Sequence, residues 1–268
     1  MAMTTIVNFD QAAQDLVGRG FGVIPFSSGV HRGVGDTLDL FGKSIIDGLS
    51  AEEREQWQFH FPELSTKPDH GLCNRSKTNG RDRNEDDKFF LHWRAGDRPE
   101  RLMRNLLKGR GVDITPYETF FQSCDLVFTE ALSLGENFAQ KLDEHYGWNL
   151  FEALQKPQAM EQHVLRLLSY DQKSIGQELA NTHWDFSALT LCLWETEPGL
   201  FFDLKESRYN WSFKVGRVPV FGGRKIFPFT QTVQPLAHGV EAIHPGRRLA
   251  AVFFAHIDGP MGPALEEN

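Results

Sequence analysis

Two histidines and an aspartate stand where they could share a metal ion. His183-Trp184-Asp185 is followed by His238, and Arg248 lies ten residues further on. Two imidazoles and one carboxylate can take three positions on one face of a divalent metal and leave the others open. That donor set is typical of non-heme Fe(II) sites that activate oxygen. The spacing has a geometric reason. On a β-strand, residues two apart leave the same face, so His183 and Asp185 can point to one centre. Trp184 then points away or sits at the strand's end. His238 must come from a distant strand brought alongside by folding. Arg248 adds a permanent cation, suited to holding a carboxylate that chelates the same metal.

The elements that must position these residues change character along the chain. Asp10 can cap a helix in which Ala13, Leu16 and Val17 share a face; Gly18 and Gly20 break it, and residues 21–26 read as a short strand. Leu38, Phe41, Ile45, Ile46 and Leu49 form a helical stripe, and Ser50 with Glu53 is the signature of a capping box. Residues 66–88 read as a long surface loop, a candidate lid or binding loop. Pro116 opens the longest helix, running to about Tyr146, with Phe120, Leu126 or Val127, Ala131, Leu134, Phe138 and Leu142 along one face. It is expected to be a scaffold supporting a sheet. From residue 163 strands dominate: 163–171, 188–194, 199–204, 217–221, 225–232, 235–243 and 248–257, punctuated by Gly and Pro. Periodicity alone predicts an α+β protein with a mainly β, antiparallel barrel-like core. One domain is expected over residues 1–258, mostly helical to 150 and stranded over 151–258, with 259–268 as a flexible tail.

Composition narrows the setting. A chain of 268 residues can bury a sizeable core as one domain. The net charge of −8 argues against a general nucleic-acid surface. No apolar run approaches the roughly 18 residues of a membrane span, so no membrane partner is expected. The opening Met-Ala-Met-Thr-Thr lacks the basic and hydrophobic regions of a secretion signal. Cys73, Cys124 and Cys192 are far apart and odd in number, which suits a reducing cytoplasm. A small-molecule substrate and a monomer or homodimer follow as expectations. His244 reads as a turn residue beside Pro245-Gly246. His256 reads as a strand-end residue. His60, His70, His92, His145 and His163 have no ligand-like partner at short spacing.

Three segments carry a family resemblance. Residues 181–194, Asn-Thr-His-Trp-Asp-Phe-Ser-Ala-Leu-Thr-Leu-Cys-Leu-Trp, resemble the iron-binding strand of the isopenicillin N synthase-like, 2-oxoglutarate- and Fe(II)-dependent dioxygenases. There the usual wording is His-Thr-Asp, a small residue, then Leu-Thr-Leu. Residues 236–241, Leu-Ala-His-Gly-Val-Glu, resemble the second-histidine strand, and 248–254, Arg-Leu-Ala-Ala-Val-Phe-Phe, the Arg-x-Ser-x-x-Phe-Phe segment. The likeness extends more loosely over residues 10–30, 50–54 and 87–92, and Arg166-Leu-Leu-Ser-Tyr170 resembles the strand with a cosubstrate tyrosine. Two departures stand out. Ala250 replaces the usual serine, and the usual Asn-x-Tyr-Pro reads Leu168-Ser-Tyr170-Asp171.

The resemblance implies a double-stranded β-helix, or jelly roll, with N-terminal helices and one long scaffold helix around it. It implies Fe(II) on His183, Asp185 and His238, molecular oxygen, and 2-oxoglutarate whose distal carboxylate meets Arg248 and Tyr170, with Thr190 or Thr232 available in place of the missing serine. Trp184 would border the active-site mouth and touch substrate. The reaction implied is hydroxylation or another oxidation of a small molecule, such as an amino acid, a peptide-derived intermediate or a natural-product precursor, with release of succinate and CO2. Three alternatives stay open: an iron oxidase of the same fold that does not use 2-oxoglutarate, a cupin-like metal-binding protein, and a binding module with a degenerate triad. With little chain beyond the last strand, the loop at 66–88 or a second subunit is expected to shield the mouth.

Overall fold

In the computed structural model, the residues described are 8–59, 70–75, 88–94, 102–172, 175–176, 178–204 and 207–262. Helices dominate the first half: α1 Phe9–Arg19, α2 Ser28–Leu40, α3 Ala51–Gln56, α4 Met103–Gly109, α5 Glu118–Tyr146, α6 Leu150–Leu154 and α7 Pro157–Met160. Among them run β1 Phe21–Pro25, β2 Gln58–Phe59, β3 His70–Arg75 and β4 Lys88–Trp93. The second half supplies β5 Val164–Gln172, β6 Glu178–His183, β7 Leu189–Glu195, β8 Leu200–Leu204, β9 Ser207–Asn210, β10 Arg217–Gly222, α8 Ile226–Thr230, β11 His238–Glu241 and β12 Gly246–Ala255.

The strand pairings are antiparallel. An eight-stranded sheet runs β1-β10-β7-β12-β5-β4-β3-β2, and a four-stranded sheet runs β6-β11-β8-β9. The large sheet has two unlike faces because side chains alternate along each strand. On β12, Leu249, Ala251 and Phe253 enter the main core under the helices, whereas Ala250 joins a second cluster that includes Ala180 of β6 and Val240 of β11. The two sheets therefore face each other across that second cluster, with the helices on the far side of the larger one.

Local sequence explains the helical layer. Asn8 caps α1 by accepting from the Gln11 N–H at 2.8 Å, and Gly20, in the left-handed region at φ 91°, closes it. Gly22 lets α1 lie directly on β1, since a Cβ there would stand 2.3 Å from the Ala12 carbonyl oxygen. The Ser50–Glu53 capping box forms as expected. The stripe from Leu38 continues past α2 through a π-helical segment, Phe41–Ile46, which adjusts its phase so that Phe41, Ile45 and Ile46 all stay buried. In α5 it is Val127 that is buried; Leu126 points outward. Phe128 of α5 meets Phe253 of β12 edge to face at 5.3 Å, so the long helix braces the strand that carries Arg248.

Three expected segments differ. Residues 225–232 form a turn and the short helix α8 rather than a strand. The backbone donors of Gly223, Arg224 and Lys225 go to carbonyls of Ala188, Asp185 and Ser187, and Ile226 and Thr230, four apart, share the buried helical face. Residues 235–243 keep only His238–Glu241 as strand. Within 66–88, His70–Arg75 pairs with β4 in register Cys73↔Phe90, because Leu72 and Cys73 are apolar enough to be buried; residues 76–87, the centre of the expected loop, lie outside those described. None of the described helices is long and apolar enough to cross a membrane.

Candidate metal centre and cosubstrate pocket

His183 and His238 face each other as Cα partners across β6 and β11, their ring centroids 4.5 Å apart. β6 ends at His183, so Trp184 and Asp185 lie just past the strand rather than on it. The turn that follows swings Asp185 back to the histidines. The Asp185 carbonyl accepts from the Arg224 N–H at 2.7 Å, which ties this turn to the chain after β10. Gly223 makes the approach possible: a Cβ there would lie 2.3 Å from the Ser187 carbonyl oxygen and 2.9 Å from that of Asp185.

The three side chains converge. His183 Nε2 lies 3.5 Å from Asp185 Oδ1, His238 Nε2 lies 3.3 Å from Oδ2, and one ligand atom from each falls within 4.8 Å of the others. Each imidazole is oriented through its other nitrogen. Nδ1 of His183 donates to the Asn181 carbonyl at 2.7 Å, and Nδ1 of His238 to the Leu236 carbonyl at 3.1 Å. A carbonyl only accepts, so each Nδ1 carries the hydrogen and each Nε2 keeps a lone pair for a metal. Asp185 Oδ2 accepts from the Thr190 hydroxyl at 2.8 Å, and Thr190 is linked to Ser187 Oγ at 2.8 Å.

Electrostatics favour the ligating forms of Asp185 and His238. Burial opposes charge on Asp185, yet the His238 and His183 imidazoles and the Thr190 hydroxyl outweigh it and hold the carboxyl well below the usual carboxylate range. Burial pushes His238 down to about 4, so it is neutral. For His183 burial acts the same way but is overcome by Asp185, and its pKa is raised. This donor set fits a hard-to-borderline divalent ion, and Fe(II) is one that imidazole and carboxylate suit.

The centre opens into a cavity of about 630 Å³, counting its mouth, between the two sheets. Its floor is the inner face of the large sheet. One row across β4, β5 and β12 is Lys88, Tyr170, Arg248 in register. The Arg248 guanidinium carbon lies 5.4 Å, and the Lys88 ammonium 5.7 Å, from the centre of the Tyr170 ring. Arg248 is 2% exposed. Its Nη2 donates to Glu195 Oε2 at 2.6 Å and its Nε to the Glu197 carbonyl at 3.0 Å, while Nη1 has no partner among the described residues.

Glu195 is the pocket residue that the sequence hides. Simple alternation along 190, 192 and 194 would turn Trp194 to the cavity and Glu195 to the helices. A β-bulge reverses this. Val252 pairs with Cys192 and Ala251 with Trp194, so Leu193 is an extra residue on β7, and Glu195 falls opposite Ala250 on the cavity face. Leu193 and Trp194 both pack toward the helical core, Trp194 meeting His31 of α2 edge to face at 5.0 Å. Lys88 is a second pocket residue without a local signal, because the β4 pairing that brings it beside Tyr170 joins segments far apart in the chain.

The expected residues divide accordingly. His183, Asp185 and His238 come together, and Arg248 and Tyr170 line the same cavity. Trp184 is not among the lining residues; the aromatic wall is built by Trp211, Phe213 and Phe254, with Trp194 reaching its edge beside Phe213. Thr190 serves Asp185 rather than a distal carboxylate, and Thr232 donates to the Thr230 carbonyl away from the cavity.

No protein-family model matches the chain, and no curated protein matches it either. Solved structures do. A full-length Neurospora crassa protein in complex with alpha-KG superposes with a TM-score of 0.73 at 16% identity, over 93% of this chain and 79% of that one. A 2OG-Fe(II) oxygenase family protein of Caulobacter crescentus gives 0.68 at 19% identity, over 93% and 83% of the two chains. The fold is that of the 2-oxoglutarate-Fe(II) oxygenases. DAO1 of Arabidopsis thaliana, a dioxygenase for auxin oxidation in complex with 2-oxoglutarate, matches with a TM-score of 0.65 at 14% identity, over 97% and 92%. At these identities the likeness speaks for the fold, and the chemistry rests on the residues above.

Proposed function

We propose that this protein is a non-heme Fe(II)- and 2-oxoglutarate-dependent oxygenase that oxidises a small molecule, with its two facing sheets forming a double-stranded β-helix. The observation that carries the reading is that three oriented metal donors and a buried guanidinium with an unpartnered N–H open into one cavity. His183, Asp185 and His238 would hold Fe(II), which, when bound, supplies oxygen activation coupled to conversion of 2-oxoglutarate to succinate and CO2. Arg248 would meet the distal carboxylate through Nη1, and Tyr170 would pack beside it. Ala250 contributes no hydroxyl. The wall of Trp211, Phe213 and Phe254 suits a substrate with a flat or apolar body and excludes water from it.

The Neurospora crassa protein's complex with thymine and the auxin-oxidising role of DAO1 support a small-molecule substrate. Three free thiols at Cys73, Cys124 and Cys192 agree with a reducing cytoplasmic setting. A second reading, an iron oxidase of this fold without 2-oxoglutarate, draws support from Glu195, which already occupies part of Arg248. Oxygen uptake with Fe(II), with and without 2-oxoglutarate, separates the two. Uptake and succinate release that require both, and vanish in His183→Ala, Asp185→Ala and His238→Ala, are the expected result; uptake indifferent to 2-oxoglutarate would favour the oxidase. A cupin-like site commonly adds another ligand, and no fourth His, Cys, Asp or Glu joins the cluster among the described residues.

A further inference from the structure

Two buried atoms of opposite kind belong to neighbouring groups in the cavity lining and have no hydrogen-bond partner among the described residues. Arg248 Nη1 is a donor without an acceptor, and Glu195 Oε1 is an acceptor without a donor. The other halves of the same two groups are joined at 2.6 Å. Buried polar atoms are nearly always satisfied, so such an orphan pair marks a place where a ligand completes the network. Building on the proposed use of 2-oxoglutarate, the ligand's distal carboxylate can satisfy Nη1, but it brings a second negative charge against Glu195. Two carboxylates sharing one guanidinium in a desolvated pocket cannot both stay ionised at little cost. Deprotonated, Glu195 is acceptor-only; protonated, it gains the one donor that a carboxylate ligand needs.

We infer that Glu195 is a second binding residue for the cosubstrate, which it holds by taking up one proton and donating it, as Oε1–H, to the distal carboxylate alongside Arg248 Nη1. In the usual family pattern a serine two residues after the arginine stands there; here that place is Ala250, which lies directly opposite Glu195 in the strand register. The bulge at Leu193 thus brings an acid to the spot where a hydroxyl is missing. The proton comes from solvent and no bond other than O–H forms.

The surroundings agree. Burial raises the Glu195 pKa, against the opposing pull of Arg248 and of the Leu200 backbone N–H. The charged and titratable groups facing it are Arg248 from β12 and Cys192 from its own strand, whose thiol burial keeps protonated; Tyr170 from β5 and Lys88 from β4 stand beyond Arg248 in the same cross-strand row.

Uptake of a proton on binding makes affinity fall as pH rises. With Fe(II)-loaded protein under anaerobic conditions, 2-oxoglutarate should bind about tenfold more weakly per pH unit once Glu195 is ionised in the free protein. Calorimetry in two buffers of different ionisation enthalpy should count about one proton taken up per 2-oxoglutarate bound. Glu195→Gln, which keeps a permanent donor, should bind 2-oxoglutarate with no proton uptake and a flat pH profile. Glu195→Ala serves if the amide variant folds poorly, and should also lose the proton. Wild-type binding that is flat in pH with no proton taken up, or an unchanged slope in both variants, would overturn this inference while leaving 2-oxoglutarate use intact. No binding of 2-oxoglutarate at any pH would overturn the proposed function and this inference together.

Discussion

Breaking the Arg248–Glu195 pair from one side should cost far more than removing both partners. The two side chains are 3% and 5% exposed and meet at 2.6 Å. Arg248→Leu leaves a buried carboxylate facing Leu, and Glu195→Leu leaves a buried guanidinium. An uncompensated charge of this kind costs about 3–5 kcal/mol, whereas an apolar pair of similar volume is commonly neutral or better. At pH 7 each single substitution should therefore lower the unfolding free energy by roughly 3–5 kcal/mol, and the double variant should lie within about 1 kcal/mol of wild type. Glu195 also has a way out that Arg248 lacks, because a carboxyl whose pKa burial already raises can take a proton. The cost of Arg248→Leu should shrink by up to about 1.4 kcal/mol for each unit the pH is lowered, until Glu195 is neutral. Glu195→Leu should show no such relief. Urea unfolding of the four proteins, followed by tryptophan fluorescence at neutral and mildly acid pH, reads all of this. Additive single and double effects, or single costs below about 1 kcal/mol, would refute the reasoning.

Further outcomes follow from the metal centre and the core. Thr190→Val removes the hydroxyl that holds Asp185 Oδ2 and should weaken Fe(II) binding about 10- to 100-fold with the fold intact, measured by metal titration. Gly223→Ala places a Cβ into the Ser187 and Asp185 carbonyls, so it should displace the Asp185 turn and lower both thermal stability and metal affinity; a variant with wild-type values for both would contradict the packing described. His163 is fully buried, bonded through Nε2 to the Leu154 carbonyl, and pushed by burial from 6.5 down to about 4. The unfolded chain binds a proton at His163 below 6.5 while the folded protein does not. Its contribution is thus complete above pH 6.5 and falls by up to about 3 kcal/mol as pH drops to about 4. His163→Phe should flatten that part of the pH–stability curve measured by denaturant titration, and an unchanged curve would count against a neutral buried imidazole.

The His183–Asp185 pair is legible because its signal is short-range, and His238 because residues 236–241 resemble the second-histidine strand. His183 and Asp185 are two residues apart, and the strands around 163–171, 188–194 and 248–257 announce themselves by alternation. What misleads is the assumption that alternation persists. At Leu193 one extra residue shifts the phase, so Glu195 takes the cavity face that counting by twos assigns to Trp194, and no residue type in 189–195 marks the bulge. The place of Trp184 at the mouth is what the family resemblance implies; Trp184 is not among the residues lining the cavity, and the aromatic wall comes from elsewhere. Residues 225–232 look like a strand because Ile226, Pro228 and Thr230 alternate with bulkier neighbours. The N–H groups at 223–225 are instead committed to the turn that holds Asp185, a tertiary demand invisible from local composition.

The extra residue on β7 also makes the chemistry of the pocket a question of phase rather than of composition. Were the ladder to run regularly through Leu193, with no residue changed, Trp194 would fall opposite Ala250 and Glu195 would be driven beneath the helices. The same letters would spell an aromatic pocket in place of a proton-binding one. Deleting Leu193 has the reverse character: the ladder heals and the acid stays where it is. Two relatives separated by a one-residue gap could therefore grip their cosubstrate alike, while two that align without any gap could present opposite faces of the same strand. A comparison that scores residues column by column would misjudge both.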